Sequence, residues 1–133
     1  MVEFKLVLSR ADGKSFQRVI KDKEANVFLR KRVKDQISGN DIGLEGYELI
    51  ITGGSDKCGF PMRKGILQKR QKILIEKGVG FSGKDRNNKK RDGLKTKKTI
   101  CGEMIDPNIV QINLKILKEG SEKLDSGSEK KAE

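Results

Sequence analysis

The 133-residue sequence has no histidine, no tryptophan and only two cysteines. Histidine is the commonest general base, so its absence argues against triad chemistry and imidazole-bound metals. Cys58 and Cys101 lie far apart with no further Cys or His beside them, which is not a zinc spacing, and we expect two reduced thiols. These absences predict a protein that is not an enzyme, has no cofactor or metal, and takes no small-molecule substrate.

Long hydrophobic runs are missing as well. No stretch is apolar for long enough to cross a bilayer, and the apolar N-terminal run is interrupted by Glu3 and Lys5, unlike a signal peptide. Apolar residues make up 34% of the chain and charged residues 37%, so a lean core lies under a heavily charged surface. The sequence therefore predicts one cytoplasmic domain with no membrane partner.

Acidic residues are scarce in one part of the chain. Between Arg63 and Cys101 there are fourteen Lys or Arg residues against three acidic ones, an excess of eleven. This equals the whole formal net charge of +11, so the remainder of the chain is neutral. A neutral body with one concentrated cationic segment is typical of a protein that binds a polyanion.

Hydrophobic periodicity predicts a mainly β fold. Alternation with a period of two predicts six strands, at residues 2–9, 15–21, 47–52, 71–75, 100–105 and 109–117. Apolar residues at every fourth position predict an amphipathic helix over residues 24–37, with a solvated basic face. Together these elements predict a small six-stranded β-barrel-like domain over residues 1–118, including a basic loop at 78–98. Residues 119–133 are polar and charged and predict a disordered tail.

Two glycine patterns resemble nucleotide sites but lack the required context. Gly54 and Gly59 have P-loop spacing, yet Phe60 and Pro61 stand where the lysine and hydroxyl that hold phosphate and magnesium are needed. Residues 78–83 match the dinucleotide pattern, but the segment that follows has one apolar residue and predicts no helix. An enzyme that binds a phosphate-bearing ligand at residues 53–59 is therefore a weak alternative.

The basic run at residues 84–98 is internal, strongly positive, and flanked by predicted strands. Such a loop repels itself unless phosphates neutralise it, and with few aromatics we expect recognition of RNA shape and backbone rather than base stacking. The candidate RNA-binding residues are Lys57, Arg63, Lys64, Lys69, Arg70, Lys84, Arg86, Lys89, Lys90, Arg91, Lys95, Lys97 and Lys98.

Residues 51–65, Ile-Thr-Gly-Gly-Ser-Asp-Lys-Cys-Gly-Phe-Pro-Met-Arg-Lys-Gly, resemble the motif of the archaeal and eukaryotic small-subunit ribosomal protein six family, the "e" type. A second stretch agrees, with Arg-Asp-Gly at 91–93 and Lys-Lys-Thr-Ile-Cys-Gly at 97–102. The likeness runs from about residue 2 to 120 and is to the short, archaeal form. It implies a β-barrel-like domain without catalysis and a structural place on small-subunit rRNA beside neighbouring ribosomal proteins.

We therefore expect a ribosome-bound structural constituent of the small subunit that acts in translation and stabilises rRNA through its basic loop. The alternative is a free-standing RNA-binding or RNA-chaperone module that does not stay on ribosomes. Sedimentation of the protein with or without ribosomal particles distinguishes the two.

Overall fold

The computed structural model describes residues 3–120. In this part of the chain, one helical turn, α1 (Lys23–Asn26), and one 3₁₀ turn (Gly39–Ile42) accompany seven strands: β1 (Glu3–Ser9), β2 (Ser15–Lys21), β3 (Gln36–Ser38), β4 (Glu48–Asp56), β5 (Arg70–Ile75), β6 (Thr96–Cys101) and β7 (Ile109–Lys118). The predicted mainly β class with one short helix is confirmed. The disordered tail predicted for residues 119–133 lies, from residue 121 onward, outside the described residues.

The strands form two sheets. Five of them lie in the order β2-β1-β7-β4-β3, with β1 parallel to β7 and the other pairs antiparallel. Strands β5 and β6 form a separate antiparallel ribbon. Across residues 3–120 the sheets do not close on themselves, so the domain is barrel-like only in a loose sense. The segment after β4 links the two sheets by single bridges, from Pro61 to Ser55 of β4 and from Met62 to Cys101 of β6.

The core lies on one face of the large sheet. Phe4, Leu6 and Leu8 of β1 are fully buried, and alternate residues of β4 and β7 are buried beside them. The ring of Phe28 packs edge-on against Phe4, with centroids 6.4 Å apart. Burial of a side chain of this size contributes about 1.5–3 kcal/mol. This core fixes β4, and β4 ends in the turn from which the basic part of the chain starts.

The helix predicted over residues 24–37 is wrong in extent. The α-helix ends at Asn26, and residues 30–35 are extended or turned, although the apolar residues of the segment are buried as the periodicity required. The backbone of Val33 donates to the carbonyl of Glu103 at 2.9 Å, and that of Lys34 donates to Ile51 at 2.7 Å. Pairing with two other segments therefore replaces the hydrogen bonds that a helix would have made within itself.

The predicted strand at residues 100–105 is displaced. The observed strand, β6, begins at Thr96 and ends at Cys101, because the next backbone groups pair elsewhere. Gly102 and Glu103 donate to the carbonyls of Lys69 and Ile66, at 3.1 and 2.9 Å. The chain between β6 and β7 thus binds the loop before β5 instead of extending the ribbon. The prediction of six strands also missed β3, whose three residues are too few to show a periodicity.

Candidate nucleic-acid interface

Asp56, at the end of β4, organises the turn at the start of the basic half. The residue is 5% exposed, and Oδ1 accepts the backbone N–H groups of Cys58 at 2.9 Å and Phe60 at 3.0 Å. A carboxylate that accepts two backbone donors holds a tight turn more firmly than a neutral side chain would. Gly59, at φ 85°, supplies the left-handed conformation that the turn requires.

The second carboxylate oxygen of Asp56 binds two side chains. Oδ2 accepts the guanidinium of Arg70, with Nε at 3.0 Å, and the thiol of Cys101 at 3.0 Å. The guanidinium also lies over the ring of Phe60, 5.0 Å from its centroid. Burial acts to raise the pKa of Asp56, but the donors from Cys101, Arg70 and the turn outweigh it and lower the pKa. Burial, with the adjacent carboxylate, raises the pKa of Cys101 to about 12, so this thiol stays protonated and inert.

Glu103 fixes the next part of the chain. It is 9% exposed, accepts the backbone N–H of Gly65 at 3.1 Å, and pairs with the guanidinium of Arg32 at 3.5 Å. At the neighbouring Gly102, an added Cβ would meet the carbonyl oxygen of Gln68 at 2.2 Å. Only glycine therefore allows the chain after β6 to approach the loop before β5 this closely.

The glycine-rich segment after β5 is a compact turn. Gly78 and Phe81 exchange backbone hydrogen bonds at 3.0 and 3.1 Å, and Arg63 donates to the carbonyl of Val79 at 3.0 Å. A Cβ at Gly80 would lie 3.0 Å from the side chain of Ile100, so this turn packs on the ribbon. No helix follows the glycines, so the geometry that a dinucleotide site needs is not present at residues 78–98.

A second carboxylate turn shapes the tip of the basic loop. Oδ1 of Asp85 accepts the backbone N–H groups of Asn87 at 2.9 Å and Lys89 at 3.0 Å. Oδ2 pairs with Arg91 at 3.1 Å, and Asn88 takes φ 60°. Asp85 thus repeats the arrangement around Asp56 at the protein surface. The loop between β5 and β6 is a hairpin-like tip that presents cations rather than an unstructured run.

The ribbon extends the cationic surface from the loop toward the body. In its register Lys72 lies opposite Thr99, and Leu74, which is 60% exposed, lies opposite Lys97. Because residues two apart share a face of a strand, these four side chains lie on one face. The sequence-based candidates omitted Lys72. Its alternation with the partly buried Ile73 is the signal that would have identified it.

Twelve of the thirteen predicted RNA-binding side chains are exposed, and Arg63 is partly buried. Lys84 to Lys98 lie together on the loop and ribbon, and Arg63, Lys64 and Lys69 lie in the segment that leads to β5. Arg70 and Arg91 have acidic partners within the protein. Lys57 stands apart in the turn after β4, where its backbone donates to the carbonyl of Asn108 at 3.2 Å.

The described residues offer neither a metal site nor a membrane-spanning helix, and their P-loop-like glycines have a packing role. Residues 3–120 contain no group of three or more Cys, Asp or Glu side chains placed to hold a metal ion. The same residues form no helix long and apolar enough to span a membrane. The P-loop-like glycines lie in and after β4, and a Cβ at Gly54 would meet the carbonyl oxygen of Gln111 at 2.4 Å. Gly54 therefore serves close strand packing, not a phosphate cradle.

Comparison with known proteins gives one consistent result. The family model for ribosomal protein S6e matches residues 4–128. The small ribosomal subunit protein eS6 of Methanococcus maripaludis is 39% identical over 120 residues, which cover 89% of this chain and 90% of that protein. The proteins of the same name from Methanocella arvoryzae and Archaeoglobus fulgidus are 37% and 36% identical; the matches cover 98% and 99% of this chain, and 89% and 100% of those proteins.

The fold and the surface define a small, mainly β protein that carries an exposed cationic loop and ribbon beside a buried core. Within that class, the chain belongs to the ribosomal protein S6e family. It is a ribosomal protein with a structural, non-enzymatic role, as the missing histidine and the failed nucleotide patterns predicted.

Proposed function

We propose that this protein is a cytoplasmic, ribosome-bound constituent of the small subunit that stabilises small-subunit rRNA through the basic loop at residues 78–98 and the turn at residues 57–64. Family membership supports the ribosomal role. The observation that carries the RNA-binding role is the exposure of nearly all of the cations in one continuous, predominantly basic part of the chain.

The acidic residues of the loop cannot neutralise this surface. The loop has two acidic residues, Asp85 and Asp92, against eight Lys and Arg residues. Asp85 is 15% exposed and occupied by backbone donors and Arg91, and Asp92 is exposed. Just before the loop, Glu76 pairs with Lys95 at 3.4 Å. The ammonium groups of Lys84, Lys89 and Lys90 have no acidic partner among the described residues. Phosphates would supply the missing negative charge, and the release of their condensed counterions drives binding.

Substitution of Lys89, Lys90 and Arg91 by glutamine tests the proposal. Three lost phosphate contacts should lower the slope of log binding constant against log salt by about 2, measured by filter binding to small-subunit rRNA of Methanococcus maripaludis. The melting temperature should change little, because these side chains are exposed and the Arg91 ion pair is worth at most about 1 kcal/mol.

The matched control replaces three exposed lysines of the N-terminal part of the chain by glutamine, at Lys14, Lys21 and Lys23. It should retain the wild-type slope, and equal slopes for the two triple variants would refute a specific role for the loop. Sedimentation of the tagged protein with small subunits at moderate salt tests the ribosomal role separately. A protein that stays at the top of the gradient would favour the free-standing RNA-binding module.

A further inference from the structure

We propose that the RNA-binding surface includes a second cationic segment, residues 30–34, with Arg30, Arg32 and Lys34 as phosphate-binding side chains. This inference rests on the proposed function and extends it to a part of the chain 29 to 33 residues before the basic half. Sequence periodicity placed these cations on the solvated face of a helix. The structure gives them a different backbone and different neighbours.

The backbone of the segment is fixed on both sides. Residues 30–33 pair with residues 103–105: Arg30 donates to the carbonyl of Ile105 at 3.2 Å, and Ile105 donates to that of Lys31 at 2.8 Å. On the other side Lys34 donates to Ile51 of β4. The buried Val33, 6% exposed, anchors the segment in the core. The cations therefore stand on a rigid base, which lowers the entropy lost when they bind.

The conformation presents the cations to solvent. Arg30, Arg32 and Lys34 are exposed, whereas Lys31 and Val33 between them are partly or fully buried. Arg30 and Lys34 have φ angles of 69° and 80°, a region that costs an ordinary side chain about 1 kcal/mol or more. Neither position carries the glycine or asparagine that this backbone favours. The chain has long cationic side chains at two positions where local conformation disfavours them.

Glu103 joins this segment to the predicted surface. One carboxylate oxygen pairs with Arg32, and the other accepts the backbone N–H of Gly65, directly after Lys64. The segment is therefore next to the turn that carries Arg63 and Lys64. Glu103 is shared with a backbone donor, and Arg30 and Lys34 form no ion pair in the part of the chain that the structure describes. Asp35, whose Oδ2 accepts the backbone N–H of Arg32 at 2.8 Å, adds a second negative charge beside Glu103, and the three cations still leave the patch positive.

A phosphate backbone fits this patch better than an acidic peptide does. Through Glu103 the patch adjoins the turn whose cations Arg63 and Lys64 are proposed to bind rRNA, and duplex or folded RNA presents phosphates at regular intervals. Arginine is suited to bidentate phosphate contact, and two of the three cations are arginine.

The test uses a double variant, Arg30→Asn with Lys34→Asn, because asparagine tolerates positive φ and Arg32 keeps its partner. Two lost phosphate contacts should lower the salt slope for small-subunit rRNA by about 1.5. The control with the same change in charge is Lys14→Gln with Lys21→Gln, which should keep the wild-type slope. The Lys89, Lys90 and Arg91 triple variant is measured in parallel.

The outcomes separate the two proposals. A smaller salt slope in both the triple variant and the Arg30 and Lys34 variant supports both proposals. If only the triple variant has the smaller salt slope, the proposal for residues 30–34 is overturned and the proposal for the loop stands. If only the Arg30 and Lys34 variant has it, the proposal for the loop is overturned. Acylation of the wild-type protein checks the result without any variant: rRNA should protect Lys34 as it protects Lys89 and leave Lys14 reactive. Equal reactivity of Lys34 with and without rRNA would overturn the inference.

Discussion

Loss of the Asp56 carboxylate should lower the stability of the domain more than any other substitution that changes side-chain shape so little. In Asp56→Asn the amide oxygen can still accept the backbone N–H groups of Cys58 and Phe60. The amide nitrogen must then replace Oδ2, which accepts from Arg70 and Cys101. The amide nitrogen, itself a donor, would therefore face the two donors Arg70 and Cys101, at a residue that is 5% exposed.

The expected cost is about 3 kcal/mol. A hydrogen bond to a charged group contributes about 1.5–3 kcal/mol, and the two retained backbone bonds each weaken once the acceptor is neutral. The guanidinium of Arg70 is 44% exposed and can rehydrate, which keeps the cost below that of breaking a fully buried ion pair. A loss of this size is a large part of the 5–15 kcal/mol typical of a domain and lowers the melting temperature by roughly 10 °C.

Urea unfolding followed by far-ultraviolet circular dichroism measures this loss, and Asp12→Asn is the control. Asp12 is exposed and accepts one backbone N–H, from Lys14 at 3.0 Å, so its loss should cost under about 0.5 kcal/mol. If Asp56→Asn costs no more than the control, the turn does not depend on the carboxylate.

Acid provides an independent check of the same contact. Because folding lowers the pKa of Asp56, its stabilisation is present above the ordinary value of 3.8 and is lost as the pH falls through the lower folded value. The difference between wild type and Asp56→Asn should therefore shrink below pH 3.8. A difference that stays constant down to the acid transition would contradict the charge-based account.

Two further predictions concern the strands around this turn. Gly54→Ala should destabilise by about 1–3 kcal/mol, because its Cβ would lie 2.4 Å from the carbonyl oxygen of Gln111, whereas Gly53→Ala meets nothing within 4 Å and should be nearly neutral in thermal melts. Because folding raises the pKa of Cys101 from 9.0 to about 12, the stabilisation linked to its protonated thiol is lost as the pH rises above 9.0, and Cys101→Ala should lose less stability than wild type over that range. Equal losses would mean that the thiol does not titrate differently in the folded state.

The elements that sequence predicted well are those whose hydrogen bonds are local or whose pattern is long. The β1–β2 hairpin follows from alternation on either side of Asp12 and Gly13, and β7 has an inward row at Ile112, Leu114 and Ile116. Residues 24–37 satisfied a helical period because their apolar side chains must reach the core in either conformation. The pattern records burial, and the partners at residues 51 and 103–105 decide the backbone.

The candidate surface was predictable in part for the same reason. Cations that lie close together in the sequence can be recognised without a structure, so the loop at 78–98 could be identified from composition alone. Arg30 and Lys34 could not be joined to it, because the link passes through Glu103, whose partners are separated from it by 71 and 38 positions along the chain. The contacts of Asp56 with Arg70 and Cys101 could not be predicted either, because these partners lie 14 and 45 positions further along the chain.

Three carboxylates within and beside the basic half explain how a protein of net charge +11 presents its cations in a defined arrangement. Asp56, Asp85 and Glu103 each accept backbone N–H groups and each pair with one arginine. Their charge is directed into turns, where it fixes the backbone, and little of it remains to attract the lysines. Removal of such a carboxylate would make the protein more cationic and yet should weaken RNA binding wherever the turn that positions the lysines is lost. Affinity for rRNA should therefore follow the integrity of these turns more closely than the net charge.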